Sequence, residues 1–165
     1  EVSINRSRQL HYDQELRPFY DLRSGEFYQL YHVRQGERSF YPDAFEYTGE
    51  WIIEDRCRRA TKQGATCTIQ FEGGAICLEG LRGEDGGQAE VLLDGEPVGA
   101  MDQFAYTRAA MPRYDQRIVP FRWSKDDLLA GVHTLTIQVS GSARAESSGC
   151  QIRISGAKVY AGRKY

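Results

Sequence analysis

From Glu46 onward no stretch of the chain repeats apolar residues at helical spacing; it breaks instead into short alternating runs separated by glycine-bearing turns. That rhythm restricts the fold to an all-β one. Strands with one apolar face each, joined by tight turns, can close a core only as an antiparallel sandwich or barrel. In TCTIQF the residues Cys67, Ile69 and Phe71 share one side; in HTLTIQV the residues Leu135, Ile137 and Val139 do the same and leave Thr134, Thr136 and Gln138 outside. The pattern predicts strands over 47–53, 65–71, 75–80, 89–93, 97–101, 116–122, 133–139 and 151–160. Glu72-Gly73-Gly74 reads as a hairpin connection, and Asp94-Gly95 as a two-residue turn whose central positions both accept positive φ. Ala130-Gly131 turns the chain into the His133 strand. Residues 123–129 read as one short helical turn, N-capped by Ser124 with Asp126 and Asp127 in its first turn.

The 165 residues suffice for one domain with a substantial core. A net charge of -2, with 27% charged and 41% hydrophobic residues, fits neither a disordered chain nor the basic face of a nucleic-acid binder. No apolar run approaches the roughly 20 residues of a membrane span. The first residues, EVSINRSRQL, lack the build of a signal peptide. The chain begins on glutamate, as a processed or excised chain would, so the missing leader leaves the compartment of the parent protein open. Cys57, Cys67, Cys77 and Cys150 match no zinc spacing, and their three pairings are equivalent on sequence grounds.

Residues 1–45 form an N-terminal extension rich in tyrosine and arginine, in which 26–33 is β-favouring. Disordered linkers seldom carry so many aromatics, so the extension is expected to pack on the sandwich domain, 46–165, rather than to lead into it as a tether.

If successive strands run antiparallel, their connections alternate between the two ends of the sandwich. One end receives the short connections near 72–74, 94–96 and 124–131; the other receives the long ones, 54–63, 81–87, 102–115 and 140–149. Long loops on a rigid scaffold commonly carry function. These hold Arg56, Arg58, Arg59, Arg82, Asp85, Phe104, Tyr106, Arg108, Tyr114, Asp115, Arg144 and Glu146. Aromatic rings cover the C–H patches of a pyranose, while Arg and Asp form directional bonds to hydroxyls and carboxylates. The candidate ligand-binding residues are therefore Tyr106, Arg108, Tyr114, Asp115, Arg82 and Arg144, and the excess of arginine over lysine points to an acidic sugar. Trp51 is read as core, Trp123 as structural and His133 as a satisfied structural imidazole; His11 and His32 lie in the extension. Catalysis is not expected, because no GxSxG, GxxxxGK[ST], GxGxxG or HExxH occurs, and a small sandwich encloses little with which to separate the pKa values of two carboxyls.

The segments YTGEW, GATCTIQFEGGAICLEG, GGQAEVLLDGEPV, LLAGVHTLTIQVSG and CQIRISGAKVY together resemble the galactose-binding-like superfamily, over about 115 of the 165 residues. The shared pattern is a Trp-bearing strand, a Phe-x-Gly-x-x-Ile hairpin, a mid-domain Asp-Gly turn and a Gly-x-His-x-Leu-x-Ile strand before the last. The likeness is strongest to the jelly-roll modules attached to bacterial glycoside hydrolases, polysaccharide lyases and SGNH-type esterases. It implies a non-catalytic carbohydrate-binding module, extracellular or periplasmic, with a glycan or polysaccharide and a catalytic domain of the same parent as partners, and neither nucleic acid nor membrane. Two other roles fit the resemblance: an accessory domain that packs on a hydrolase or esterase and binds no sugar, and a protein-recognition or sensor ectodomain. Many such modules hold structural calcium through acidic groups near the first and last strands; Ser155 stands here where an Asp is expected. No cofactor is expected, and structural calcium is disfavoured.

Overall fold

The computed structural model describes residues 37–106 and 118–161. They build eleven strands in two antiparallel sheets. The strands are β1 (Arg38–Phe40), β2 (Glu46–Thr48), β3 (Ile52–Ile53), β4 (Arg58–Ala60), β5 (Thr66–Glu72), β6 (Ala75–Gly83), β7 (Gln88–Leu93), β8 (Glu96–Asp102), β9 (Ile118–Lys125), β10 (Val132–Val139) and β11 (Ile152–Tyr160). One sheet runs β3-β4-β11-β6-β9, with β1 also paired to β11; the other runs β2-β5-β10-β7-β8. The sheets pack face to face as a β-sandwich of the jelly-roll type.

Alternation decides which residues face inward. Ile69 and Phe71 of β5, Val91 of β7, and Leu135, Ile137 and Val139 of β10 are buried from one sheet. Ile76 and Leu78 of β6, with Ile152, Ile154, Ala157 and Val159 of β11, meet them from the other. Burying each large side chain contributes on the order of 2 kcal/mol, which makes this contact the main source of stability. Trp51 packs at the margin of the core with its Nε1 donating to Thr48 O, its ring edge-on to Tyr47 at 5.0 Å. Trp123 lies against Gly99 of β8 and closes one side of the sandwich. Two of the edge strands, β8 and β9, carry Pro97 and Pro120, residues that blunt further pairing.

Three expectations are corrected. The strand read over 47–53 is two strands in different sheets: Gly49, at φ +81 and where a Cβ would lie 3.0 Å from Ala65 Cα, lets the chain cross from β2 to β3. The loop read over 54–63 contains β4. Arg58-Arg59-Ala60 has no apolar alternation and is held by pairing to β11, with Arg59 tied to Glu54 and Arg58 lying 4.9 Å over the Tyr47 ring. No helical turn follows Trp123: β9 runs through Ser124 to Lys125, because pairing with Ile76 and Cys77 of β6 outbids a local N-cap. The β-favouring stretch 26–33, His11 and His32 lie outside the described residues. None of the four cysteines is bonded to another; burial pushes the thiols of Cys67 and Cys77 up, and burial with the Glu54 carboxylate pushes Cys57 up to about 12.

The connections separate by end. At one end Gly73 N–H donates to Gly131 O, Leu128 N–H to Gly74 O and Asp94 N–H to Thr134 O. Asp94 and Gly95 both have positive φ, as a two-residue hairpin turn requires. His133 locks this end: its Nδ1 lies 2.8 Å from Asp94 Oδ2 and its Nε2 2.8 Å from Leu129 O. Since both neighbours are acceptors, both nitrogens donate only in the imidazolium form. The Asp94 carboxylate, then the Leu129 carbonyl, hold the His133 pKa above its ordinary value, while His133 and the Thr134 N–H hold Asp94 below its own.

The raised His133 value makes its stabilisation complete below the ordinary histidine pKa of about 6.5, and lost as pH rises through the folded value. The depressed Asp94 value makes its share complete above about pH 3.9, and lost as pH falls through the folded one. His133→Gln should therefore destabilise the protein by about 0.5–1 kcal/mol near pH 5.5, a magnitude kept small by the exposure of Asp94. Thermal melts across pH should show that difference shrink as pH rises past the ordinary histidine range; a deficit independent of pH would contradict the charged clamp.

Candidate functional site

At the opposite end the long connections are knitted together by main-chain bonds. Gly87 N–H donates to Gln151 O, Gln151 N–H to Asp85 O, Ser148 N–H to Glu84 O and Gln88 N–H to Ser142 O. Gln103 N–H donates to Gly87 O and Gly83 N–H to Gln103 O. Ser147 Oγ lies 2.8 Å from the carbonyls of both Gly86 and Gly149. A Cβ on Gly86 would come within 1.9 Å of Gln103 O, so this approach of two backbones exists only because position 86 has no side chain. The result is a stiff platform rather than a set of free loops.

On this platform stands an aromatic and charged group from two connections, the one after β8 and the one between β10 and β11. Asp102, at the end of β8, accepts from Arg144 Nε at 2.9 Å and Nη2 at 2.8 Å, and caps Phe104 N–H at 2.9 Å. Burial pushes the Asp102 carboxyl up, but the Phe104 N–H, Arg144 and Gln88 outweigh it and hold the group ionised below its ordinary range. The Arg144 guanidinium lies 5.1 Å over the Phe104 ring. Phe104 in turn meets Tyr106 edge-on, with centroids 4.7 Å apart at 85°. Phe104 is 7% exposed and Tyr106 61% exposed, so the inner ring serves as a floor and the outer ring is offered to solvent.

A second charged group lies on the outward side of the β3-β4-β11-β6-β9 sheet. Arg153 of β11, 5% exposed, binds Asp85 through Nη1 at 2.9 Å and Nη2 at 2.7 Å. Arg59 bonds Glu54 at 2.6 Å and Gln151 at 2.7 Å. The Arg153 bonds hold Asp85 below the ordinary carboxylate range. Burial raises Glu54, but its bonds from Arg59 and Cys57 win and lower it. These arginines are neutralised within the fold and anchor the β6–β7 turn and the chain around Gln151.

The sequence-derived candidates divide accordingly. Tyr106 and Arg144 are brought together through Phe104. Arg82 is exposed on β6, one residue before Gly83, which bridges to Phe104; it has no hydrogen-bond or ion-pair partner among the described residues. Arg108, Tyr114 and Asp115 lie outside the described residues. Asp85 is consumed by Arg153, and Arg58 and Arg59 belong to β4. Asp102 and Gln103 escaped sequence reasoning, since a strand-end Asp-Gln pair carries no motif and its partners lie 42 and 50 residues away. Among the described residues no group of three or more His, Cys, Asp or Glu side chains could hold a metal ion, and Ser155 falls at the β11 bulge.

Two substitutions test the platform. Asp85→Asn should cost about 2 kcal/mol in urea denaturation, below the usual figure for breaking a buried pair because Asp85 is partly exposed. Gly86→Ala should cost about 3 kcal/mol, since its new methyl meets backbone that cannot yield. Values within experimental error of wild type would show that the loops can part.

No family model matches the chain. No curated protein matches it either. Solved structures do share its fold. It aligns over 81% of its length with a two-domain esterase active on acetylated mannans, crystallised with mannopentaose, at TM-score 0.58 and 10% identity, and spans 38% of that protein. It covers 95% of the CBM36-1 domain of a multidomain xylanase from the hindgut metagenome of Trinervitermes trinervoides, at TM-score 0.53, 10% identity and 74% of its own length. A family two carbohydrate esterase from Cellvibrio japonicus aligns over 77% of this chain and 33% of its own, at TM-score 0.51 and 12% identity. The jelly-roll sandwich is thus shared with domains of carbohydrate-active enzymes, and the chain spans only 38% and 33% of these two esterases.

Proposed function

We propose that this chain is a non-catalytic carbohydrate-binding module that holds an attached or associated enzyme near a glycan, in an extracellular or periplasmic setting. The observation that carries the reading is Tyr106, an exposed ring seated edge-on against a buried Phe104 that Asp102 and Arg144 hold in place. A pre-positioned aromatic face loses little entropy when a sugar ring stacks on it. The fold likeness to a xylanase CBM36 domain and to a mannan esterase supports the same reading. Arg82, whose guanidinium is uncommitted among the described residues, supports recognition of an acidic sugar together with Arg108; Tyr114 and Asp115 are proposed to share the site.

A second reading, an accessory domain that packs on a catalytic domain, is favoured by one feature. Tyr41, Ile52 and Ile53 are exposed apolar residues, the last two on the edge strand β3.

The deciding experiment is a glycan array on the 165-residue chain, including mannan and xylan oligosaccharides and uronic-acid polymers, with calorimetry on the best-bound sugar. Tyr106→Ala combined with Tyr114→Ala should weaken binding by about tenfold or more, the effect of losing one or two stacking contacts. Preference for a uronic-acid polymer should fall with added salt. A blank array with folded protein would overturn the glycan reading in favour of the accessory one.

A further inference from the structure

We propose that Gln103 is the positioning residue of the long-loop end, setting the direction in which Phe104 and Tyr106 are presented; the inference rests on reading that end as the ligand surface. Gln103 lies outside the regular strands, yet it is 0% exposed. Its side-chain amide does the work of a peptide: Nε2 donates to Arg153 O at 2.9 Å and Oε1 accepts Arg153 N–H at 2.7 Å. One residue of β11 therefore has its ladder completed by a side chain. Gly80 makes room for it, since a Cβ there would come within 2.8 Å of Gln103 Nε2. The main chain of Gln103 is tied independently, its N–H to Gly87 O and its carbonyl to Gly83 N–H, both at 2.9 Å.

These bonds fix a short segment at every step. Asp102 caps Phe104 N–H, Ala105 N–H donates to Gly83 O at 2.9 Å, and the next residue is Tyr106. Direction at Tyr106 thus follows from the anchoring at Gln103. The position asks for a donor and an acceptor on one planar group at the reach of two methylenes. Asn is one methylene short, and an apolar residue would leave the buried N–H and C=O of Arg153 unpaired. A protonated glutamic acid meets the demand through its O–H and C=O. An ionised one does not, because it turns an oxygen without a proton toward the Arg153 carbonyl.

That difference gives a test that a residue merely supporting the fold would not pass. In the full 165-residue chain carrying Gln103→Glu, the ring-proton resonances of Tyr106 and Phe104, displaced by each other's ring currents, are followed by NMR from acid to neutral pH. The core methyls of Leu135 and Ile137 serve as reference. The charged groups nearby are Asp102 beside the position, Arg144 on Asp102, Arg153 in β11, and Glu84 and Asp85 in the β6–β7 turn; the wild-type protein over the same pH range controls for their titration. The expected result is native shifts at acid pH, reversible loss of the Tyr106 and Phe104 displacement as the new carboxyl ionises, and unmoved core methyls. Ring shifts that ignore pH, or that change only together with the core methyls, would overturn the proposal.

Should the variant unfold at every pH, amide exchange on the wild type decides. Arg153, Phe104 and Ala105 exchanging together in an opening that spares β10 supports the assignment; exchange only with global unfolding overturns it. If the array identifies a sugar, its affinity for Gln103→Glu should fall by about tenfold over the same titration. A blank array would overturn the glycan reading while leaving the ring-current result to decide the role of Gln103.

Discussion

The contact between the inner faces of the two sheets, with Ile69, Phe71, Leu135 and Ile137 on one side and Ile76, Leu78, Ile152 and Ile154 on the other, is the interaction on which the remaining features depend. A sheet with one apolar face is unstable in water until that face is covered, and here each sheet is the cover for the other. Strand β11 is central to the arrangement: β6 flanks one side of it, and β4 and then β1 flank the other, with a bulge near Gly156 between the two. Because β11 cannot shift without uncovering four buried side chains, it offers a fixed reference for the loops beyond it.

Those loops illustrate how charge is spent in a small sandwich. Arginine abundance looks from composition like a ligand-binding surface, yet Arg153, Arg144 and Arg59 are each bonded to a carboxylate of the same chain. Their planar forks bind two oxygens, or an oxygen and a ring face, at once, and so they brace loops that lack a core of their own. What the bracing holds out to solvent is then a few residues, Tyr106 above all. The two ends differ in kind: the short-turn end is closed by one histidine–aspartate clamp, whereas the long-loop end is braced by several ion pairs and a buried glutamine.

Much of the fold was legible along the chain, because period-two burial and turn chemistry are local properties. Cys67, Ile69 and Phe71 point inward as their alternation implies, and Asp94-Gly95 takes the positive-φ turn its residues favour. Where the reading failed, a distant partner had overruled a local signal. Arg58-Arg59-Ala60 is a strand because β11 lies beside it, Ser124 stays extended because Cys77 pairs with it, and Gly49 sends the chain across to the other sheet. Of the site, Tyr106 and Arg144 were visible as residue types in long loops, but their connection through Phe104 and Asp102 was not.

The sequence by itself determined the all-β class and the inward-facing residues, since each depends on neighbours two or three positions apart. Only the tertiary structure decided which arginines are neutralised, that Phe104 lies beneath Tyr106, and that Gln103 completes the ladder of Arg153. These are pairings between residues tens of positions apart, and such a pair becomes specific only when burial has fixed both backbones and removed the water that would otherwise satisfy either partner.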